Sequence, residues 1–498
     1  MGIISNVIWK FAERILAQLV TLVVSIVLAR LLLPNDFGAI SMVLVFINIA
    51  NIFVIEGIPS ALIQKKNADQ LDFSSVFLFN AVFSLLVYAI LFFSAPYIAA
   101  FYNYPLLSPV FRVLGLRILV AAVNSVQHAY VSRHMIFKKY FWSTLFGTLL
   151  SGVVGIVMAY MGFGVWSLVA QYMVNTTVDT IVLFYTVDWR PTLQFDFSRV
   201  KQLFSFGWKM LFEAVSNTVA EQIRNLIIGK VYTPSDLAFY TKAQQFPSLV
   251  MTNISASIAS VLFPAIANEQ TDKQRVLFIL RKSVRVSSYV AYPMLVGLAL
   301  VATPFIRLLL TEKWIETVPY LQIFCFFNMP SIGMIPRHEA LLGTGRSDVF
   351  MNEHIAARLI GLVILFLTYR ISIWAIIWGG TISTVIMTAV IAYTSKKYSG
   401  YGYRDQVRDL IPILLGCAVM GLPVYCLNFL SLPDIIKLTL QVALGIIVYV
   451  LYSMVFKMEE FYVCKGFVFS VMQRLHPLKM QGAPKIQETS MQKAEKKS

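Results

Sequence analysis

The strongest constraint on this chain is a succession of apolar runs, each long enough to cross a membrane as a helix, joined by short polar connections. A hydrocarbon core about 30 Å thick needs roughly 20 apolar residues per helix. Such runs fall at 15–33, 39–63, 73–101, 110–132, 142–161, 164–187, 203–229, 246–266, 286–310, 318–342, 351–369, 373–394, 410–430 and 435–456. Pro96, Pro105 and Pro109 interrupt the third and fourth. A backbone in lipid must satisfy its own hydrogen bonds, so runs of this length imply helices. The expected fold is an all-α integral membrane protein of about fourteen transmembrane helices. Charged residues make up only 13% of the chain, against about 25% in soluble domains, which excludes a soluble globular protein. The first run is too long for a signal-peptide core and lacks a small-residue cleavage site, so it reads as a retained first helix.

The formal net charge of +16 would suggest nucleic acid in a soluble protein, but here the cations sit between spans, so no nucleic-acid partner is expected. Alternate connections are rich in them: Lys65 and Lys66, Arg133 with Lys138 and Lys139, Arg190 with Arg199 and Lys201, Lys273 to Arg285, Arg346, Lys396 and Lys397 with Arg404 and Arg408, and the tail. The intervening set is sparse: Arg30, Lys230, Lys242, Arg307, Lys313 and Arg370. The positive-inside rule makes the rich set and both termini cytoplasmic. Residues 267–285 are the longest connection between spans on that side. Arg281, Lys282 and Arg285 with Val276, Leu277, Phe278 and Leu280 suit either a basic surface helix or a solvated loop. From about Lys479 the chain reads as a disordered tail. Cys325, Cys417, Cys426 and Cys464 have no metal-ligand or redox spacing and read as apolar filler.

The chain is duplicated. Arg30-Leu31-Leu32-Leu33-Pro34-Asn35-Asp36-Phe37-Gly38 recurs as Lys230-Val231-Tyr232-Thr233-Pro234-Ser235-Asp236-Leu237-Ala238, a cation, Pro and Asp at one spacing. Upstream, Trp9-Lys10 and Glu13 recur as Trp208-Lys209 and Glu213. Ala95-Pro96-Tyr97-Ile98 is echoed by Thr303-Pro304-Phe305-Ile306, and Gly164-Val165-Trp166-Ser167-Leu168 by Ser372-Ile373-Trp374-Ala375-Ile376. Two six-helix lobes follow, residues 1–190 and 191–400, with two further helices in 401–460 and a cytoplasmic tail in 461–498. Six is even, so the lobes share one orientation, related by a pseudo-twofold axis along the membrane normal with a cavity between them. In the motif itself, Pro and Asp suit a turn or a cap on the next helix, with Arg30 a secondary binding candidate.

Ionisable groups inside spans cost roughly 2.5–3.5 kcal/mol each at a helix centre and should face a cavity or one another. Arg14, Gln18, Thr21 and Ser25 form one polar stripe on the first helix; Glu213, Asn217, Glu221 and Arg224 form another on the seventh. The two stripes are expected to face each other across the cavity, although Glu221 and Arg224 also suit an internal ion pair. Arg117 with Asn124 and His128, Glu56 beside Gly57 and Pro59, and Arg337-His338-Glu339 complete the set. Arg117 favours the cavity, since a guanidinium must find an anion or water. Glu56 equally suits a helix end near the headgroups, and Glu339 suits neutralising an arginine. Lys10, Glu13 and Lys209 suit snorkelling at the inner interface. There is no Walker A sequence, Gly-x-Ser-x-Gly, His-Glu-x-x-His or clustered metal ligands, and no outward loop long enough for a catalytic domain, so the chain does not read as an enzyme.

The passage Leu28-Ala29-Arg30-Leu31-Leu32-Leu33-Pro34-Asn35-Asp36-Phe37-Gly38, with Glu56-Gly57-Ile58-Pro59-Ser60-Ala61-Leu62-Ile63-Gln64, resembles the polysaccharide transporter family. That family, part of the multidrug, oligosaccharidyl-lipid and polysaccharide exporter superfamily, includes O-antigen, capsule, exopolysaccharide and teichuronic acid flippases. The resemblance in organisation spans residues 5–455. It implies two six-helix lobes in a V, helices 13 and 14 outside them, and a bacterial inner-membrane location. The implied cargo is an oligosaccharide on undecaprenyl diphosphate, moved by alternating access, its polyprenyl tail left in lipid at a gap between lobes. Arg14, Arg117, Arg224 and Arg337, with Gln18, Asn124 and Asn217, are then the candidate cargo-binding residues. Glu56, Glu213 and Glu221 are candidate coupling groups for H+ or Na+, with no other cofactor; membrane potential is the alternative drive. Membrane lipids, a glycan polymerase and glycosyltransferases are candidate partners of an expected monomer. A cation-coupled multidrug exporter would share the fold but have a more apolar, acidic cavity, and a membrane-embedded glycan polymerase would need the missing outward loop.

Overall fold

The computed structural model describes residues 3–475, with side chains for 14–466 and Phe469. The tail expected from Lys479, and the side chains of Lys10 and Glu13, lie outside the described residues. All regular structure among the described residues is helical. The first half comprises α1 (Ile3–Leu31), α2 (Pro34–Ile55), α3 (Ile58–Gln64), α4 (Gln70–Tyr102), α5 (Leu107–Gly115), α6 (Arg117–Arg133), α7 (Phe137–Tyr160) and α8 (Val165–Thr186). The second comprises α9 (Phe197–Val231), α10 (Pro234–Asn268), α11 (Lys273–Leu300), α12 (Ala302–Leu310), α13 (Thr317–Gly343), α14 (Ser347–Thr368) and α15 (Ile373–Ser399). Then come α16 (Tyr403–Cys426), α17 (Asp434–Val455) and α18 (Glu459–Leu475).

Every expected span coincides with a helix or a broken pair, and among the described residues twelve helices are long and apolar enough to cross a membrane. The other two expected spans are α8 and α9, whose polar stripes dilute their hydropathy. Breaks follow local chemistry. Gly57, at φ +79°, and Pro59 divide the second run into α2 and α3. Pro96 is absorbed inside α4, whereas the fourth run divides at Leu116. The basic segment 273–285 is neither a surface helix nor a loop. Asp272 caps it through the backbone N–H groups of Gln274 (2.9 Å) and Arg275 (3.0 Å), and it forms the first turns of α11, continuous with the span.

The repeated motif is a helix start. Asp36 accepts the Leu33 N–H (3.1 Å), and Asp236 accepts the Thr233 N–H (3.0 Å) and hydroxyl (2.8 Å), each tying a turn to the helix that follows. The two copies also meet. A Cβ on Gly38 would lie 1.8 Å from the Pro234 carbonyl oxygen, so the starts of α2 and α10 touch backbone to backbone. Around this point the helix ends exchange cations. The Arg30 guanidinium donates to the Leu309 carbonyl (2.8 Å) and to that of Leu308, in the last turn of α12. Lys230 donates to the Phe101 carbonyl in the last turn of α4. These carbonyls lack helical partners and carry the negative end of the helix dipole, so each cation caps the opposite half. Trp314, fully buried, donates to the Ala29 carbonyl (2.8 Å) beside them.

At the cation-rich end, the linker into α9 is laid across the start of α4. Ser75 Oγ accepts the Asp196 N–H (3.0 Å), and Gln70 donates to the Arg190 carbonyl (2.7 Å). Arg199 reaches Asp69 (2.7 Å) and the fully buried Asp72 (3.2 Å), which also binds Lys65 (2.7 Å). Higher up, α9 lies against the α2–α3 break, where a Cβ on Gly207 would sit 2.5 Å from the Gly57 carbonyl oxygen.

Two outcomes follow. Gly38→Ala places its methyl inside the Pro234 carbonyl and should destabilise the purified protein by about 1–3 kcal/mol, read as a lower melting temperature in detergent. The Asp69 carboxyl is held below its ordinary value by the Asp72 N–H that donates to it, with Arg199 contributing. A depressed carboxylate contributes stability above its ordinary value, near 3.9, that is lost as pH falls through the folded value. The melting temperature should therefore drop as pH falls below about 4, and Asp69→Asn should flatten that dependence.

Candidate functional site

On α9 the stripe Asn217, Glu221 and Arg224 recurs at helical spacing and projects to one side. There it meets α13, α14 and α15 around a chamber of about 380 Å³. The chamber walls carry Ser331, His354, Arg358, Ser383 and Thr384 as well. Arg358, midway along α14, donates to Asn217 Oδ1 (3.2 Å) and lies 3.6 Å from Glu213. Asn217 in turn donates to Glu221 Oε1 (3.0 Å). The expected Glu221–Arg224 pair does not form, because Glu221 is taken by Asn217. Arg224 instead lies over Gly380, where a Cβ would come 3.4 Å from its Nη1. Among the described residues no acceptor reaches the Arg224 guanidinium, and its Nε is buried without a partner.

The stripe on α1 makes its hydrogen bonds to α10 and none to the stripe on α9. Arg14 donates weakly to the Thr252 carbonyl (3.5 Å), Gln18 accepts from Asn253 (3.3 Å) and Ser25 accepts from Lys242 (2.5 Å), so it runs along α10. Lys242 is not in a connection, as the sequence suggested. It sits two turns into α10, buried, with its ammonium 4.5 Å from the Phe37 ring centre. Arg14, Thr252, Asn253, Glu213 and Glu221 are exposed. Charged side chains do not face hydrocarbon cheaply, so this exposed face lines a wet vestibule below the chamber.

Arg117, Asn124 and His128 do share one face of α6, but they serve a network within the first half. Arg117 donates to Thr176 Oγ1 (2.7 Å), and Asn124 (2.5 Å) and His128 (3.0 Å) both contact Asp179 Oδ2 on α8. His128 also contacts the Tyr140 hydroxyl on α7. Arg337 is buried against the Tyr401 ring, 5.0 Å from its centre, and does not line the chamber. Its direction follows from helix geometry, since successive residues Arg337, His338 and Glu339 point three ways. Glu56 ends α2 and accepts the Ser60 hydroxyl (2.7 Å). Sequence reasoning passed over Asp179, Glu353, His354 and Arg358. All four lie in expected spans, so the criterion of an ionisable group inside a span applied to them equally.

A multi-pass helical bundle with a polar chamber among its helices has the build of a membrane transporter. A model of the polysaccharide biosynthesis protein family matches residues 27–319. The chain belongs to that family, the polysaccharide transporters of the exporter superfamily named above, whose members are transporters and not enzymes. It is similar to the teichuronic acid biosynthesis protein TuaB of Bacillus subtilis, at 24% identity over 80% of this chain and 84% of that one. It is also similar to the lipopolysaccharide biosynthesis protein WzxC of Escherichia coli, at 23% over 89% and 88%. In fold it is similar to the lipid II flippase MurJ in an inward closed conformation, with a TM-score of 0.71 at 15% identity over 91% of this chain and 98% of that one. An inward-facing multidrug transporter of the same superfamily gives 0.59 at 14% identity over 77% and 96%.

Removing the acceptor of the first-half network tests its role in stability. Asp179→Ala removes the acceptor of Asn124 Nδ2 and His128 Nε2 and should cost about 1–3 kcal/mol in unfolding measurements, while Asp179→Asn retains part of that.

Proposed function

We propose that the protein flips a lipid-linked oligosaccharide, carried on undecaprenyl diphosphate, from the cytoplasmic to the outer leaflet of the bacterial inner membrane by alternating access. The observation that carries this reading is the polar chamber of the second half, lined by Arg224, whose Nε is buried without a partner. In this reading fourteen helices cross the membrane, six in each of two lobes related by a pseudo-twofold axis, with α16 and α17 appended. The cation-rich end and both termini are cytoplasmic. The ties of Arg30 and Lys230 then close the outer side, and rocking of the lobes breaks them as the cytoplasmic side closes.

The chemistry of each surface suits one part of such a cargo. Guanidinium groups bind phosphate oxygens in a fork, and Arg14 stands in the vestibule with one weak contact. Amide and hydroxyl groups of Asn217, Ser331, Ser383 and Thr384 suit sugar hydroxyls. A groove of about 570 Å³ between α10, α11, α16 and α17, apolar apart from Gln441, suits a polyprenyl chain. Two arginines in the chamber argue against the apolar, acidic cavity of a multidrug exporter. Glu213 and Glu221, which touch this arginine network, are the coupling candidates for H+ or Na+; Glu56, tied to Ser60 at a helix end, is the weaker one. A glycan polymerase and glycosyltransferases fit as partners on either side of the step, and the protein acts as a monomer.

Reconstituted vesicles should show protein-dependent translocation of a fluorescent lipid-linked oligosaccharide; none, with or without an ion gradient, refutes the proposal. A side chain at Gly297 would meet nothing within 4 Å of its Cβ. Gly297→Leu therefore starts into open space at the groove wall and should slow translocation several-fold with little change in melting temperature.

A further inference from the structure

The charges around the chamber indicate which part of a cargo it takes. Two cations, Arg224 and Arg358, stand with two carboxylates, Glu221 and Glu213. Arg358 is already engaged by Asn217 and Glu213, and Glu221 by Asn217. What remains is one guanidinium, Arg224, with its Nε buried and unsatisfied and no salt bridge to a carboxylate among the described residues. A second orphan atom, His354 Nε2, belongs to another residue of the same wall. A diphosphate brings at least two negative charges into a site that offers one free cation beside two carboxylates. Like charges at close range in a low-dielectric site are strongly unfavourable. The two cations and two carboxylates sum to zero, so a single carboxylate adds one negative charge where a diphosphate adds at least two, and a planar guanidinium receives a carboxylate in two parallel hydrogen bonds.

The remaining lining completes the recognition. Ser331, Ser383 and Thr384 offer hydroxyls that both donate and accept, as a sugar ring requires. Phe327, beside Gly380, supplies an apolar face. The volume of about 380 Å³ is near the lower end of small-molecule sites, roughly 300–1,000 Å³, and suits a sugar residue better than a whole oligosaccharide. Gly380 leaves room for this arrangement, since a Cβ there would press on Phe327 (3.1 Å) and touch the guanidinium (3.4 Å).

We infer that the chamber between α9, α13, α14 and α15 is a subsite for one carboxylate-bearing sugar residue, read by Arg224, and that the diphosphate binds elsewhere. This rests on the flippase reading for its place in transport, but binding can be measured without any lipid carrier. The full chain in lipid nanodiscs is titrated with methyl glucuronoside, methyl glucoside and inorganic pyrophosphate, followed by saturation-transfer NMR. The glucuronoside should bind about tenfold more tightly than the glucoside, as expected for a charge-assisted pair. Arg224→Gln should abolish that preference by weakening glucuronoside binding, while pyrophosphate at equal concentration fails to displace the glucuronoside from the unaltered protein. Gly380→Ala, which places a methyl against Phe327 and the guanidinium without removing either, should weaken the preference and guards against a variant that fails to fold. Equal binding of the two sugars, a preference that survives both variants, or displacement by pyrophosphate overturns the inference. Loss of vesicle translocation with the sugar preference intact would instead refute the flippase reading alone.

Discussion

The bundle depends on a backbone-to-backbone contact between two copies of one motif. In a bilayer there is no hydrophobic gain in pressing one apolar helix on another, so association rests on close approach and on polar links. Gly38 on Pro234 supplies the approach, and Arg30 and Lys230 supply the links. Hydrogen bonds to charged groups contribute about 1.5–3 kcal/mol when shielded; Arg30 and Lys230 are exposed, so each stands at the lower end of that range or below it. Each cation meets a carbonyl in the last turn of a helix from the other half, so neither half's helix ends are complete alone. The motif that marks the duplication in sequence is therefore also what joins the duplicated parts.

The two halves satisfy their buried polar groups differently. In the first, Asp179 gathers Asn124 and His128, Tyr140 closes on the imidazole, and Arg117 has Thr176. That network is largely self-contained. In the second, the chain of contacts from Glu213 through Arg358 and Asn217 to Glu221 stops one turn short of Arg224. A buried donor without a partner costs free energy that packing must offset elsewhere. Duplication explains the shared helical plan, and divergence of these side chains explains why the chamber with its unsatisfied guanidinium lies in the second half.

Helix identity and order were legible in the sequence because apolar runs of span length admit one structure in lipid. The capping role of Pro34 with Asp36, and of Pro234 with Asp236, was legible for the same reason: it is decided within four residues. Facing was not. The stripe from Arg14 to Ser25 meets α10, and that of α9 meets α14, because rotation about a helix axis is set by packing against neighbours that periodicity does not name. Lys242 was misplaced because its helix begins at Pro234, eight residues before it, in a stretch too polar to count as a span. Arg337 lay in a correctly placed helix but points to Tyr401, a residue more than sixty positions away.

One element touches every region on which the proposed motion acts. α9 begins on the Arg199 clamp to Asp69 and Asp72, packs at Gly207 on the α2–α3 break, lines the chamber with Asn217, Glu221 and Arg224, and ends in the Lys230 tie to α4. A ligand shifts a conformational equilibrium only by its difference in affinity between the two states. For cargo in the chamber to open the far end, it must hold α9 in a position that Lys230 cannot share with Phe101. The free guanidinium is suited to that task, since its engagement would pull on the same helix about two turns below the tie. A cargo residue that left Arg224 unpaired would bind both states alike at that point, and would leave the outer end closed.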